Sequence, residues 1–288
     1  MYFDNRVQTI QRMAKIAVPA LLAMAALPSA PAQTPFVISS ANSSLVLDVP
    51  ESSKAPGVDV QQWTPNGGAN QQWTLRRYGS SLLYEIVSVN SGLVLDVAGD
   101  SEEAGARIDQ YTAQGAPNQL WSIYRRAGST EGYEIVSSQM ERVKTCSGDC
   151  LPDEVNLVLD VPASSQNAGT LIQQYTENDG INQQWNFNAE SQARITLSFT
   201  ESGGAIQIAG YHFKANSRVC PVLEDPLGGI APCANVASDG TFRYSLGPEQ
   251  SGTELMTGPG HIVVVIDDAD GNVLAIGSVS GYVNENLK

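Results

Sequence analysis

The chain predicts an all-β protein of two domains, on three observations. A unit of about 48 residues recurs three times between residues 35 and 189. Runs such as Tyr84-Glu85-Ile86-Val87-Ser88 and Tyr133-Glu134-Ile135-Val136-Ser137 alternate in polarity, the period of a half-buried strand. After residue 32 no segment sustains a helical period.

The N-terminus reads as an export signal. Arg6, Arg12 and Lys15 precede an apolar run of 12 residues from Ile16 to Leu27, and Ala30-Pro31-Ala32 has the small-x-small pattern of a cleavage site. That run is shorter than the roughly 20 apolar residues a bilayer span needs. Residues 1–32 are therefore expected to be a cleaved signal peptide and the protein to be secreted, extracellular or periplasmic. Its loss removes three basic residues and Asp4, leaving 13 Lys+Arg against 29 Asp+Glu, a net charge of −16. A chain this acidic repels phosphate backbones and anionic lipid, which argues against nucleic acid, acidic membranes and sulfated polysaccharides as partners. The same charge also serves simply to keep a secreted protein soluble.

The repeat is defined by two landmarks that move together. Leu45-Val46-Leu47-Asp48-Val49 recurs 48 residues later at Leu93–Val97 and 64 residues after that at Leu157–Val161. Gln71-Gln72-Trp73, Gln119-Leu120-Trp121 and Gln183-Gln184-Trp185 take the same two steps. Turn sequences such as Asn66-Gly67-Gly68 and Asn90-Ser91-Gly92 separate the strands. Three such units cannot each bury a core alone, so they should close around a shared one. The 16 extra residues before the third unit contain Cys146 and Cys150. They are expected to form a loop closed by a disulfide, as exported cysteines are normally oxidised. Cys220 and Cys233 make the second local pair. Zinc is not expected, because the only histidines, His212 and His261, lie far from the first cysteine pair.

Three units of this length, each ending in Gln-x-Trp and each holding an Asp after a short apolar strand, resemble the ricin-B-type lectin family. The resemblance covers residues 33–189 and implies a β-trefoil, a six-stranded barrel capped by three hairpins. It also implies a shallow carbohydrate site in each unit. The first would use Asp48, Gln61, Trp63, Asn70 and Gln71, the second Asp96, Asp109, Tyr111, Asn118 and Gln119, and the third Asp160, Gln173, Tyr175, Asn182 and Gln183.

The chemistry suits a sugar. An aromatic ring packs on the C–H face, while a carboxylate accepts charge-assisted hydrogen bonds from adjacent hydroxyls. The Asn works beside the Asp, and the Gln of Gln-x-Trp braces the site from behind. Each position also has a structural reading, with the Asp bonding its own turn and the aromatic packed as a hydrophobe. Trp73, Trp121 and Trp185 read as core. The second unit departs from the pattern, since Asp109 stands where the others have Gln. It lacks an amide donor and adds a charge, so the first and third sites rank above it.

Residues 190–288 change texture. Arg194–Phe199, Ala205–Tyr211, Thr241–Leu246, His261–Asp267 and Asn272–Val279 read as strands, with turns at Gly203-Gly204, Asp239-Gly240 and Asp270-Gly271. The spacing suggests a small β-sandwich, and Ile208 to Val219 with Asp239-Gly-Thr-Phe242 resembles bacterial Ig-like domains. Asp267, Asp268, Asp270 and Asn272 are oxygen ligands but stop short of a calcium loop. His212 and His261, each on an expected strand with no nucleophile motif nearby, read as structural.

The expected function is thus a non-catalytic lectin without cofactor or metal. Its expected ligands are galactose- or N-acetylgalactosamine-type glycans or a xylan-like polysaccharide. The alternatives are a targeting module of a secreted glycoside hydrolase system and a protein-binding trefoil of the protease-inhibitor kind.

Overall fold

The computed structural model describes residues 35–125, 132–143, 153–189, 194–200, 205–224, 229–230, 232–246, 261–267 and 273–279. Residues 1–32, Cys146 and Cys150 lie outside these, as do Asp268, Asp270 and Asn272. Among the described residues no helix is long and apolar enough to cross a membrane. All the helical segments there are three-residue 3-10 turns.

Six strands form a closed ring. Phe36–Ser40 pairs with Trp73–Arg77, and that strand pairs with Tyr84–Ser88. Tyr84 bridges to Trp121, and Trp121–Tyr124 pairs with Glu134–Val143. Tyr133 bridges to Trp185, and Trp185–Ala189 returns to the first strand over five residue pairs from Phe36↔Ala189 to Ser40↔Trp185. Three hairpins cap the ring: Val46–Asp48 with Gln61–Trp63, Val94–Val97 with Ile108–Tyr111, and Asp153–Asp160 with Gln173–Thr176. This is a β-trefoil.

The core follows from the repeat. Trp73, Trp121 and Trp185 are fully buried, one from each unit. Each indole N–H donates to the carbonyl of the Leu that precedes the repeat Asp, Leu47 at 3.2 Å, Leu95 at 3.1 Å and Leu159 at 3.0 Å. A buried Trp needs such an acceptor, and the repeat supplies one at a constant spacing. Leu47, Leu95, Leu159 and the apolar faces of the ring strands complete the cluster.

Where the three units meet, the backbone forms a cycle. Val60 N–H donates to Ile108 O at 2.8 Å, Ile108 N–H to Ile172 O at 3.1 Å, and Ile172 N–H to Val60 O at 2.9 Å. A second cycle surrounds it. Gln62 Nε2 donates to Ser165 O and Asn167 O, Gln110 Nε2 to Ser53 O and Ala55 O, and Gln174 Nε2 to Ser101 O and Glu103 O. Every unit therefore holds a loop belonging to another. These three glutamines are fully buried.

Two details go beyond the sequence reading. The insertion before the third site is not simply a loop. Its described flanks continue the pairing of Glu134–Val143 with Asp153–Asp160, from Met140↔Asn156 to Val143↔Asp153. Cys220 forms a disulfide with Cys233, the second local pair. Cys220 sits within the strand Arg218–Glu224, and Cys233 precedes Ala234–Asn235, which pairs with that same strand. Pro221 hid this strand, because proline in a run argues against a strand interior.

The remaining strands after residue 190 fall where expected, within a residue or so at their ends. Arg194–Thr200, Ala205–Tyr211 and Phe242–Leu246 form one antiparallel sheet, and Arg218–Glu224, His261–Asp267 and Val273–Val279 with two short strands form another. Ile208 and Phe242 of the first sheet share a core with Val219, Val265 and Ala275 of the second. His212 is not on a strand. It lies in the turn after Tyr211, exposed, with φ of 62°.

Candidate functional site

The three hairpins each present the same constellation, and strand register explains its spacing. Asp48 lies directly across from Gln61, Asp96 from Asp109 and Asp160 from Gln173. The thirteen-residue step from one member of each pair to the other is the length of one hairpin, so opposite positions face one another. Two residues further on, Trp63, Tyr111 and Tyr175 are 41%, 40% and 41% exposed. The glutamines between are buried, so strand alternation turns the ring outward. That geometry does not fit the packed-hydrophobe reading of these aromatics.

Each Asp is buried and held from several directions. Gln61 Nε2 donates to Asp48 Oδ1 at 2.8 Å, while Asn70 Nδ2 and Gln71 Nε2 donate to Oδ2 at 2.7 and 3.0 Å. In the third unit Gln173, Asn182 and Gln183 make the same bonds to Asp160 at 2.8, 2.7 and 3.1 Å. Burial pushes the Asp160 carboxyl above its ordinary range, against the pull of those three amides. The Asp is thus oriented by amide donors rather than by its own turn.

Counting donors and acceptors separates the roles. Gln71 Nε2 also donates to Thr64 O at 3.0 Å, and its Oε1 accepts from Asn66 N–H at 2.8 Å. Gln119 and Gln183 repeat this with Thr112 and Thr176 and with the Gln114 and Asn178 amides. These glutamines are at most 1% exposed, so they brace the site from behind. Asn70 Nδ2 also donates to Val49 O at 3.0 Å. Both of its protons are then used, and its Oδ1 accepts no hydrogen bond from the described residues. Near the exposed ring at the first and third sites lies a set of oxygen acceptors: the Asp carboxylate, the Asn Oδ1 and the Oε1 of Gln61 or Gln173. Such a set reads groups that donate hydrogen bonds.

The second site differs at three correlated positions. Asp109 replaces Gln, and Ala116 stands where the others have Gly68 and Gly180. Gln114 stands where they have Asn66 and Asn178. Asn118 and Gln119 still donate to Asp96 Oδ2, at 2.9 and 2.8 Å. Burial, then the charge of Asp96, pushes the Asp109 carboxyl up to about 7. Burial also raises Asp96.

The glycines show how closely the first and third sites are built. A Cβ on Gly68 would lie 2.5 Å from Asn70 Oδ1, and one on Gly180 2.4 Å from Asn182 Oδ1. Gly68→Ala is expected to displace Asn70 from Asp48 and cost about 1–3 kcal/mol, whereas Ala116→Gly costs less than about 1 kcal/mol. Denaturant unfolding measures both, and the Asn70 side-chain amide resonances report the displacement.

Sequence reading missed Gln62, Gln110 and Gln174, which hang the neighbouring loops beside the sites. Their signal was available, since a Gln precedes the exposed aromatic in all three units. Among the described residues no group of three or more His, Cys, Asp or Glu is arranged to hold a metal ion.

The chain matches the family described as "Ricin-type beta-trefoil lectin domain-like" over residues 29–83, 70–149 and 146–219. Among solved structures it is similar to the designed three-fold symmetric protein ThreeFoil, 31% identical over 54% of this chain and 97% of that one, with a TM-score of 0.45. It is also similar to 1,3Gal43A, an exo-beta-1,3-galactanase from Clostridium thermocellum. That match is 33% identical with a TM-score of 0.46 and covers 55% of this chain but only 31% of the galactanase. The Rhizoctonia solani agglutinin is 21% identical over 57% of this chain and 100% of its own, with a TM-score of 0.44. No curated protein matches the chain.

Proposed function

Since the chain belongs to the ricin-type β-trefoil lectin domain-like family, we propose that it is a secreted, non-catalytic lectin. It takes neutral glycans of the galactose or N-acetylgalactosamine type, or a xylan-like polysaccharide, at its Asp/aromatic/Asn sites. The observation that carries this reading is the threefold repetition of one arrangement, a buried and amide-braced Asp beside an aromatic about 40% exposed. A sugar's hydroxyls donate to that carboxylate and to the Asn Oδ1, and its C–H face covers the ring. Each shallow contact is weak alone. Several on one rigid body gain through effective concentration on a polymeric target, by a factor on the order of 100 or more. Residues 190–288 serve in this reading as an Ig-like spacer.

A glycan and polysaccharide array tests the reading, with a Trp63→Ala/Tyr111→Ala/Tyr175→Ala variant beside the native protein. These side chains are substantially exposed, so the variant should unfold within about 2 °C of the native protein. It is expected to lose at least tenfold in apparent affinity for every glycan the native protein binds. A native protein that binds nothing, or a folded variant that binds as well, overturns the assignment. Release of reducing sugar from a bound polysaccharide would contradict its non-catalytic part.

A further inference from the structure

The second site is the one place where the threefold pattern breaks in chemistry rather than in packing. We propose that Asp109 is the positioning residue that makes this site proton-dependent: sharing one proton with Asp96, it holds that carboxylate as Gln61 holds Asp48, and without the proton the site releases its ligand. The inference rests on the lectin reading above and assigns to one site a property the other two lack.

The geometry comes first. Asp96 and Asp109 are cross-strand partners, 4% and 7% exposed. In the corresponding pairs an amide Nε2 donates to Asp Oδ1 at 2.8 Å in both cases. A carboxylate cannot donate, so two ionised carboxylates at this place leave Asp96 Oδ1 without its donor and set two buried charges against each other. Asp109 Oδ1 is itself buried and accepts no hydrogen bond. One proton resolves all of this. The neutral Asp109 donates O–H to Asp96, and the pair carries a single charge, as Asp48 does with Gln61.

The surroundings favour keeping that proton. Facing the pair are the carboxyls of Asp59, from the strand Val58–Asp59, and Asp100, from the turn after Val97, whose electrostatic influence pushes Asp109 and Asp96 upward respectively. Arg107, the cation two residues before Asp109 and just outside its strand, is engaged by Asp59 at 2.6 Å. The remaining contacts to Asp96 are the uncharged amides of Asn118 and Gln119. The carboxyl's shift to about 7 agrees with this geometry and places the transition near neutrality. Because the folded-state value is raised, the shared proton is present at acidic pH and lost as pH rises through about 7.

The test isolates the second site. In a Trp63→Ala/Tyr175→Ala variant, binding to galactose immobilised on agarose and to soluble xylan is followed from pH 5.5 to 8.5. Apparent affinity is expected to fall by about thirtyfold across neutrality, the loss of competent population for one proton with a midpoint near 7. Adding Asp109→Asn, whose amide donates without a proton, is expected to keep binding and flatten the profile. A Tyr111→Ala variant, which retains the first and third sites, should show no such fall. A flat profile in the double variant while the native protein binds overturns the proposal and leaves the lectin reading standing. So does a fall that persists after Asp109→Asn. If the native protein binds neither probe at any pH, and no glycan on the array, the lectin reading fails and takes this proposal with it.

Discussion

Replacing Trp185 by alanine is expected to remove about 3–5 kcal/mol of stability, at the top of the range for a single core substitution. Its indole is fully buried, in a core cluster to which all three units contribute. The substitution also strips the Leu159 carbonyl of its 3.0 Å donor. Trp185 stands where the ring closes, pairing with Ser40 on one side and exchanging both backbone bonds with Tyr133 on the other. A thermal midpoint lowered by about 10 °C is the expected readout for a unit of this size. Trp73→Ala and Trp121→Ala should behave alike, because each occupies the same place in its own unit. A loss below about 1 kcal/mol in any of the three would mean that the core is not shared as described.

The second large effect concerns recognition. Asp48→Ala/Asp96→Ala/Asp160→Ala is expected to abolish glycan binding, a loss of at least about a hundredfold in avidity. It leaves the amide donors of Gln61, Asn70, Gln71 and their counterparts without their common acceptor. The cost to stability should be about 1–3 kcal/mol per site. Array binding and denaturant unfolding, measured on the same preparation, separate the two losses. Full binding by the folded triple variant would remove the Asp from the site and return it to a turn-forming role.

Much of this was legible in the sequence because the repeat is threefold. A single Gln-x-Trp indicates little, but three in register with three Leu-Val-Leu-Asp-Val segments imply a common core and a common site. The constant thirteen-residue step from Asp to its partner stood in the sequence, but only the register shows that it spans one hairpin. The cyclic bonds of Gln62, Gln110 and Gln174 were not legible in the same way. Their partners lie 55 to 105 residues away in sequence, and no local pattern encodes which unit's loop a buried amide will reach. The strand around Cys220 was hidden by Pro221. The pairing of Glu134–Val143 with Asp153–Asp160 along the insertion's flanks was hidden by reading 16 extra residues as a loop, although strand pairing continues for as long as the backbone can find partners. The character of Asp109 was half legible: the missing amide could be seen, but its burial opposite Asp96 needed the fold.

The first strand of the ring pairs with the last, and 149 residues separate Ser39 from Asn188, whose side chains also meet across that seam. At synthesis rates of roughly 5 to 20 residues per second, the opening strand leaves the ribosome about 7 to 30 s before its partner exists. Throughout that interval the growing chain carries an unmatched edge and a half-built set of tryptophans. A nascent chain in this condition needs either shelter or a delay in compaction, and the export proposed for this chain would supply the delay.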